Sequence, residues 1–467
     1  MKLQELFIQN PWWEDETKIE LDRHILNFKN SSFKWEPSVL NEMNLHDEGI
    51  YTLRGPRQIG KTTILKLLMY KLIKEENLPP QRILYLSLDN VSSKEELIDI
   101  LISFSKFRRR TFPNGLLYIF LDEITMVHDW QYAIKYLWDI GILTNCFVLL
   151  TGSSAHDIQK SKERFPGRKG SGKDLVLYPA TFSEFVETIK NARFQKYRLQ
   201  EIIGLTEDEI KNIEFETSSV YDDFQLYMLT GGFPLIIDEF LKTGGNSERT
   251  LGIFRDVFLG EIERFGKRRV TLLQITKKLP EIMGRRISWQ ALKRSVDEVE
   301  SIHTVIEYVE TLALNYMIGI IFFLDINSKF IKPKKSKKLY SIDSIITRVM
   351  ENITGKEIPP GFKVENVVYC HLVKLHPIES GLIHTEGPYF WYSDRGKEVD
   401  FIAGEEYTPI EVKYQNRIIP QDYQTMKRVF KKGILITKQT FLKDGNIVGL
   451  PLHSFLAIAD FERNIEG

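Results

Sequence analysis

The sequence is poor in three features that mark large classes of protein. Only two of its 467 residues are cysteine, Cys146 and Cys370, which argues against a disulfide framework, and no Cys/His cluster has zinc spacing. Its 63 basic residues equal its 63 acidic residues, so no overall positive field attracts nucleic acid and any such contact must be local. The best apolar run, residues 317–324, is far short of a membrane span, and the start MKLQELFIQN lacks an apolar signal core. We expect a soluble, cytoplasmic protein without a membrane partner.

What is present is an alternation of short strands and helices. A chain of 467 residues with 43% hydrophobic content is long enough for about three domains with real cores. From residue 50 to about residue 190, apolar strands alternate with helical patterns, which is typical of an α/β fold with a mainly parallel sheet between helices. The predicted strands are residues 50–53, 82–88, 117–122, 147–151 and 175–177. In the aromatic lead-in before them, Trp12, Trp13 and Trp35 either pack in the core or lie beside the base of a nucleotide.

A phosphate-binding loop follows the first of these strands. Residues 55–62 read GPRQIGKT and fit the pattern G-x-x-x-x-G-K-[ST], with a helical pattern after them. The glycines let the backbone fold round a phosphate chain, Lys61 can reach the β/γ oxygens, and the Thr62 hydroxyl can ligate Mg²⁺. We predict that ATP or ADP binds here together with Mg²⁺. The predicted nucleotide contacts are Gly55, Pro56, Arg57, Gln58, Ile59, Gly60, Lys61, Thr62 and Thr63.

An apolar strand that ends in two carboxylates supplies the partner of this loop. Residues 116–121 run into Asp122 and Glu123, about 60 residues after Lys61. Asp122 would hold the Mg²⁺ shell together with Thr62, and Glu123 is placed to polarise the attacking water. The alternative is a strand followed by an ordinary polar turn. The pair predicts a hydrolase that converts ATP and water to ADP and phosphate.

A third buried strand, residues 146–150, runs into Thr151-Gly152-Ser153-Ser154. Small hydroxyl residues at the carboxyl end of a strand lie where ligands bind in open α/β sheets. Ser153 or Ser154 can therefore contact the γ-phosphate or the lytic water as a sensor. Alternatively, the serines form a turn that caps the next helix.

The middle of the chain is predicted to be helical and then mixed. Residues 191–275 read as helices broken at residues 231–234, and resemble a small lid over a nucleotide. Residues 276–345 have the order helix, turn, helix and strand, which is that of a winged helix. The second helix carries Glu307 and Glu310 but no lysine or arginine, so intramolecular packing is favoured over reading of the DNA major groove.

A dense basic run follows this segment. It is either a contact for a phosphate backbone or a flexible, solvated connector. Its members are Lys332, Lys334, Lys335, Lys337 and Lys338.

The last 120 residues hold a second group of chemically active side chains. Residues 389–392 and 398–402 are predicted to pair as strands, with residues 409–413 as the next strand, so Asp400 would lie beside Glu411 and Lys413. Two such carboxylates can share a Mg²⁺ that activates water, and the lysine can stabilise charge on a phosphodiester. Glu365, on the preceding helix, could complete the metal shell. The alternative is a surface ladder of salt bridges on a β-sheet.

These motifs together resemble archaeal and bacterial AAA+ ATPases that carry a C-terminal domain of restriction-nuclease type. The resemblance covers nearly the whole chain. In the first half its motifs are residues 53–63, 121–123 with Trp130, 151–154, 167–168, 177–185 and 231–234. In the second half they are residues 338–343, Glu365, residues 398–400 and residues 410–413. Val399 departs from the PD-(D/E)xK pattern, which has proline before the aspartate, and this leaves nuclease activity as an open question.

The resemblance implies an AAA+ core with a helical lid, a winged helix and a PD-(D/E)xK-like domain, in a protein that self-associates. It also implies that Ser153 or Ser154 is the sensor and that Arg168, or alternatively Arg164, reaches a phosphate in its own or a neighbouring site. The predicted sections are a lead-in (1–49), a P-loop ATPase core (50–190), a helical lid (191–275), a winged helix with basic connector (276–345) and a nuclease-like domain (346–467).

Two functional hypotheses follow. In the first, ATP hydrolysis at Lys61, Asp122 and Glu123 is coupled to binding or processing of DNA by the C-terminal domain. In the second, the protein is a nucleotide-controlled switch of the signalling (STAND) ATPase type, and its C-terminal domain only binds.

Overall fold

The computed structural model describes residues 3–153, 169–264, 268–296, 299, 301–376 and 387–462. These residues form two compact units, and the chain passes from the first to the second between Tyr178 and Pro179. The finer boundaries at residues 190, 275 and 345 remain predictions. Among the described helices, none combines the length and the apolar character needed to cross a membrane.

The first unit contains a five-stranded sheet in the order β2-β3-β4-β1-β5, and every pairing in it is parallel. Nearly all of its residues are buried, as expected for strands covered on both faces by helices. This confirms the predicted α/β core and all five predicted strands. The strands are β1 (Gly49–Arg54), β2 (Ile83–Ser87), β3 (Leu117–Asp122), β4 (Cys146–Gly152) and β5 (Asp174–Val176).

Helices connect these strands and precede them. The α-helices are Leu3–Gln9, Arg23–Lys29, Lys61–Lys74, Lys94–Thr111 and Trp130–Asp139. Short 3₁₀ helices are Pro11–Trp13, Glu16–Leu21, Ser38–Glu42, Pro80–Arg82, Leu88–Asn90 and Ile124–Met126.

The aromatic lead-in packs along the edge of this sheet. Trp12 and Trp13 are buried, and the Trp13 indole N–H donates to the Ile83 carbonyl oxygen at 2.6 Å. The Asn10 side chain pairs with edge strand β2 as another strand would: its amide donates to the Tyr85 carbonyl oxygen (2.9 Å) and its oxygen accepts from the Tyr85 N–H (2.6 Å). The tryptophans therefore belong to the core, which was one of the two predicted alternatives.

The second unit begins with helix Phe182–Lys190, which lies within the predicted core section, and continues with the helices predicted from residue 191 onward. Threonine side chains begin two of them, since Thr181 and Thr206 each form a capping box with the glutamate three residues later. The α-helices up to Ile282 are Phe182–Lys190, Leu199–Gly204, Glu207–Thr217, Tyr221–Thr230, Pro234–Thr243, Glu248–Arg264 and Arg269–Ile282, with a 3₁₀ helix at Ser218–Val220.

The helical pattern breaks at residues 231–234, where steric constraints require glycine at residue 231. Gly231 has φ +66°, and a Cβ atom there would lie 2.0 Å from Oδ1 of Asp343. The Asp343 carboxylate accepts from the Gly232 N–H and the Ile345 N–H, both at 2.8 Å. Asp343 thus fixes this turn against the start of helix Ser344–Thr354, and a side chain at residue 231 would displace it.

Residues 285–341 follow the predicted order of helices and strand. Helices Trp289–Ser295 and Ile302–Leu314 precede β6 (Ile318–Phe322), which pairs antiparallel with β9 (Lys337–Ser341). Between them, β7 (Leu324–Asp325) and β8 (Phe330–Ile331) form a small hairpin. The predicted solvated connector is wrong for part of the basic run, because Lys337 and Lys338 are buried in β9.

A six-stranded mixed sheet, in the order β10-β11-β12-β13-β15-β14, occupies the C-terminal part of this unit. The hairpin and the third strand that place Asp400 beside Glu411 are confirmed, since β11 and β12 pair antiparallel. The strands are β10 (Tyr389–Tyr392), β11 (Glu398–Ala403), β12 (Thr408–Lys413), β13 (Gly433–Thr437), β14 (Leu442–Asp444) and β15 (Ile447–Pro451). The helices are Ser344–Thr354, Pro360–Leu372 and Leu452–Ile458, with short turns of helix at Val373–Leu375, Pro420–Tyr423 and Met426–Phe430.

Candidate functional site

The predicted phosphate-binding loop connects β1 to helix Lys61–Lys74. Two of its glycines are required by the backbone: Gly60 has φ +103°, and a Cβ atom on Gly55 would lie 2.3 Å from the Leu177 carbonyl oxygen. The Lys61 ammonium donates to the carbonyl oxygens of Gly55 (2.9 Å) and Pro56 (3.0 Å). The lysine thus lies over the loop whose N–H groups would hold phosphate.

The carboxylate of Asp122 lies at the first turn of the P-loop helix. The Thr62 hydroxyl donates to its Oδ2 at 2.7 Å, and the Tyr85 hydroxyl donates to the same oxygen at 3.1 Å. The Thr151 hydroxyl donates to Oδ1 at 2.5 Å. The structure therefore joins Thr62 and Asp122 as predicted, and adds two hydroxyl partners, Tyr85 and Thr151, that the prediction did not include.

Glu123 follows Asp122 in a left-handed conformation, with φ +55° and ψ +49°. This conformation is unfavourable for a residue with a side chain. The Thr151 hydroxyl accepts from the Glu123 N–H at 3.0 Å, so one threonine holds both acidic residues. The Glu123 side chain is half-buried. Glu123 directly follows the carboxyl end of β3, where a lytic water would lie.

Of the predicted sensor serines and arginines, only Ser153 is among the residues that the structure describes. Ser153 is buried, and its hydroxyl has no hydrogen-bond partner among the described residues. Ser154, Arg164 and Arg168 lie outside the described residues.

The lead-in reaches the helix that begins in the P-loop, which the sequence did not predict. Buried Lys66 pairs with Asp22 (Nζ to Oδ2, 3.3 Å), and its Nζ lies 3.3 Å from the centroid of the Tyr85 ring. His24 Nδ1 lies 3.2 Å from the Thr63 hydroxyl. Burial lowers the pKa of Lys66, and Asp22 partly opposes this shift. A lysine inside an apolar helical pattern was the only signal for this contact.

The residues of the first unit fit a nucleotide-bound Mg²⁺. A threonine hydroxyl and a buried carboxylate lie 2.7 Å apart, and both are hard oxygen ligands of the kind that Mg²⁺ takes alongside phosphates. Thr62 and Asp122 are therefore the residues that would hold the ion.

The C-terminal candidates converge around a lysine. Lys338, 1% exposed, places its Nζ 2.5 Å from Glu398 Oε1, 3.2 Å from Asp400 Oδ1 and 3.8 Å from Glu365 Oε2. Tyr340 donates to the same Glu365 oxygen at 3.0 Å. Glu365 and Asp400 come together as predicted. Lys338 and Glu398 were absent from the predicted site, although both lie within the motifs that carry the resemblance.

Glu411 and Lys413 complete this group. Lys413 Nζ lies 2.5 Å from Glu411 Oε1, while the buried Oε2 of Glu411 has no partner in the described part of the chain. Burial, followed by the negative charge of Asp400, raises the pKa of Glu411 to about 8, although Lys413 opposes the shift. The same two causes raise the pKa of Glu365 to about 8, against the effect of Lys338.

This group does not fit a divalent cation. Lys338 lies among the carboxylates where an ion would bind, and Val412 N–H donates to the other Asp400 oxygen at 2.9 Å. Within the described ranges, no three His, Cys, Asp or Glu side chains are placed to hold a metal. Ion pairs describe these contacts better than the predicted Mg²⁺ site, but they are not the surface ladder of the alternative, because Lys338, Asp400 and Glu411 are buried.

Comparison with protein families supports the first of the two sites. Residues 47–186 match a family model described as an AAA domain, and this stretch includes the P-loop, Asp122 and Glu123. This part of the chain is therefore similar to an AAA domain. Residues 360–455 match a model described as a domain of unknown function (DUF4143), which assigns no activity. No curated protein matches the sequence.

Solved structures with similarity to this chain include three kinds of protein. The ORC1 protein of Aeropyrum pernix, solved in complex with DNA, is 12% identical, with 73% of this chain and 96% of that chain covered and a TM-score of 0.33. A RuvB variant of Thermotoga maritima is 15% identical (68% and 89% covered, TM-score 0.29). Cdc6p of Pyrobaculum aerophilum is 12% identical (75% and 96% covered, TM-score 0.25). Similarity at this level carries no inference about function.

Proposed function

We propose that the first unit binds ATP with Mg²⁺ and hydrolyses it to ADP and phosphate. The observation that carries this proposal is the 2.7 Å hydrogen bond from Thr62 to Asp122 beside the P-loop. It brings the first residue after the loop lysine to the carboxyl end of β3, as a phosphate-bound Mg²⁺ requires. The match of residues 47–186 to an AAA domain supports the same activity.

Each residue of this site has a separate role in the proposed reaction. The loop N–H groups and Lys61 would neutralise the β- and γ-phosphate oxygens, and Ser153 would sense the γ-phosphate. Glu123 would accept a proton from the attacking water. Thr62 and Asp122 would hold a Mg²⁺ ion, whose positive charge would stabilise the negative charge of the phosphates. Arg168 remains a candidate to reach a phosphate in its own or a neighbouring subunit.

Steady-state ATP hydrolysis and binding of a fluorescent ATP analogue test this proposal. Glu123→Gln should retain nucleotide binding and lose hydrolysis by about 10²-fold or more, because a glutamine cannot take the proton. Glu95→Gln, an exposed glutamate of the same unit, is the control and should behave as wild type. Hydrolysis by Glu123→Gln at the wild-type rate would overturn this role.

We further propose that hydrolysis is coupled to DNA through the second unit. The hairpin of β7 and β8 presents a cluster that we name the basic hairpin, and its exposed residues are Lys329, Phe330, Lys332, Lys334 and Lys335. Phe330 is 71% exposed. Exposed lysines beside an exposed aromatic ring suit a phosphate backbone with unstacked bases.

Fluorescence anisotropy with labelled single- and double-stranded DNA, measured at several salt concentrations, tests this contact. Replacing Lys332 and Lys334 together by alanine should weaken binding about tenfold and reduce the salt slope by about two. Replacing Lys211 and Lys277 together is the control, since both are exposed in the same unit. Equal losses in the two double variants would contradict a contact at the basic hairpin.

A nucleotide-controlled switch is the second candidate function. The ion-paired group around Lys338 favours it, because a C-terminal domain without a metal site suits binding rather than cutting. Slow turnover indifferent to DNA, tightly held ADP and ATP-dependent assembly would support the switch. DNA-stimulated turnover would support the DNA machine. Mass photometry with ADP and with ATP would measure the self-association that the resemblance implies.

A further inference from the structure

Each carboxylate of the C-terminal group is paired with at least one cation of the protein itself. Lys338 approaches Asp400, Glu398 and Glu365 from the middle of the group. Arg286 Nε lies 3.0 Å from the second oxygen of Glu398. Each contact joins a carboxylate oxygen to an ammonium or guanidinium that the fold holds in place.

We infer that the Lys338 ammonium takes the place of a divalent cation in this group, so that the C-terminal sheet contains a closed ion-pair core that binds no Mg²⁺ and cuts no DNA. This inference goes beyond the ATPase proposal and does not depend on it. If this group binds no metal ion, the second unit can bind DNA but cannot cut it.

Both oxygens of Asp400 and one oxygen of Glu411 are engaged, while Oε2 of Glu411 has no partner among the described residues. Asp400 uses Oδ1 for Lys338 and Oδ2 for the Val412 N–H. Glu411 uses Oε1 for Lys413. A metal ion at Asp400 would have to displace a buried ammonium, and that ammonium would then lie in an apolar interior without its partners, which is costly.

The protein's own cations also offset most of the acidic charge. Lys338 and Arg286 pair with Glu365, Glu398 and Asp400, and Lys413 pairs with Glu411. Three cations thus face four acidic side chains, of which Glu365 and Glu411 have a pKa raised to about 8. Adding a divalent cation to this group would leave it with excess positive charge, whereas removal of Lys338 would leave room for one.

The neighbouring residue in β9 provides a matched control. Lys337 is as buried as Lys338, at 1% exposure, but points to the other face of the strand. Its Nζ donates to the Lys335 carbonyl oxygen at 2.9 Å and lies 4.9 Å from the centroid of the Trp289 ring. No carboxylate among the described residues pairs with it, so Lys337→Met removes a buried ammonium without leaving acids unpaired.

The experiment measures Mn²⁺ binding by electron paramagnetic resonance in full-length protein without nucleotide. Asp122→Asn is present throughout, so that the first unit contributes no binding. With Lys338 intact we expect no saturable site. Lys338→Met should lower the melting temperature by on the order of 10 °C, because three acids lose their shared partner. Mn²⁺ should then bind and restore part of this loss, and Lys337→Met should gain no Mn²⁺ site.

Three results would overturn the inference. One is saturable Mn²⁺ binding with Lys338 intact that Glu411→Gln abolishes. Another is Mg²⁺-dependent nicking of supercoiled plasmid by wild type that Asp400→Asn abolishes. The third is a folded Lys338→Met variant that Mn²⁺ neither binds nor stabilises. The first two need no Lys338 variant, so the test stands even if Lys338→Met fails to fold. ATP hydrolysis is measured separately, with Asp122 intact. There Lys338→Met should match wild type, which separates this inference from the ATPase proposal.

Discussion

Two buried aspartates on strands differ in the groups that surround them. Asp122 in the first unit accepts hydrogen bonds from three neutral hydroxyls, those of Thr62, Thr151 and Tyr85. Asp400 in the second unit accepts from the Lys338 ammonium and a backbone N–H. Hydroxyl donors hold a carboxylate in position but leave its negative charge uncompensated, whereas an ammonium cancels that charge. The first arrangement therefore suits an external cation, and the second makes one redundant.

The largest effect is expected where the cation and the phosphates would meet. Lys61→Ala should abolish nucleotide binding, or nearly so, because it removes the ammonium that lies over the loop. Lys74→Ala, at the far end of the same helix, should bind as wild type. Isothermal titration with ATP and Mg²⁺ measures both. Binding by Lys61→Ala within threefold of wild type would remove the lysine from the site.

A smaller effect is expected from loss of a positioning hydroxyl. Thr151→Val keeps the shape of the side chain but removes the bonds to Asp122 and to the Glu123 N–H. We expect kcat to fall about 10- to 100-fold while nucleotide affinity changes little. Thr151→Ser should recover most of the rate, since it restores the hydroxyl. A proportional loss of affinity in Thr151→Val would indicate a general structural role instead.

The turn at Gly231 provides a stability test in the second unit. Gly231→Ala should destabilise this unit by about 2 to 4 kcal/mol, since the new methyl group would collide with the Asp343 carboxylate in addition to the cost of positive φ. Gly244→Ala is the control for positive φ, at ψ +8° compared with −157° at Gly231. Gly244 has φ +75° with nothing within 4 Å of its Cβ position, and should lose about 1 kcal/mol. Urea unfolding measures both, and equal losses would exclude a role for Asp343.

The smallest predicted effect is a dependence on pH. The pKa of Glu411 is raised to about 8 from an ordinary value of 4.5, so the folded state holds a proton that the unfolded state releases. The stability from this group is complete below pH 4.5 and is lost as the pH rises toward 8. Glu411→Gln should reduce this decline in urea unfolding between pH 5 and pH 8, and the part contributed by Glu365, whose pKa is also raised to about 8, should remain. An unchanged slope would show that Glu411 is already ionised at low pH.

The sequence predicted the elements better than the partners of their side chains. Apolar runs located all five strands of the first sheet. The position of Asp122 at the end of an apolar strand, about 60 residues after Lys61, predicted that it lies beside the P-loop. Tyr85 was missed because its approach to Asp122 depends on the pairing of β2 with β3, which no local pattern encodes. Thr151 satisfied the rule applied to Ser153 and could have been included.

Lys338 shows why local composition misleads. Five lysines in seven residues are typical of a solvated connector, and three of them, Lys332, Lys334 and Lys335, are indeed exposed. The strand period then turns Lys338 toward Asp400 and Glu365, which are distant in sequence. Its role depends on tertiary contacts, and only the structure provides them.

The amide of Asn10 has a consequence for how the protein behaves in a crowded solution. By occupying both hydrogen-bonding groups of Tyr85, it denies the outermost strand of the first sheet to strands of other molecules. A chain shortened past this residue would present a free β-edge, and we expect it to aggregate by strand addition.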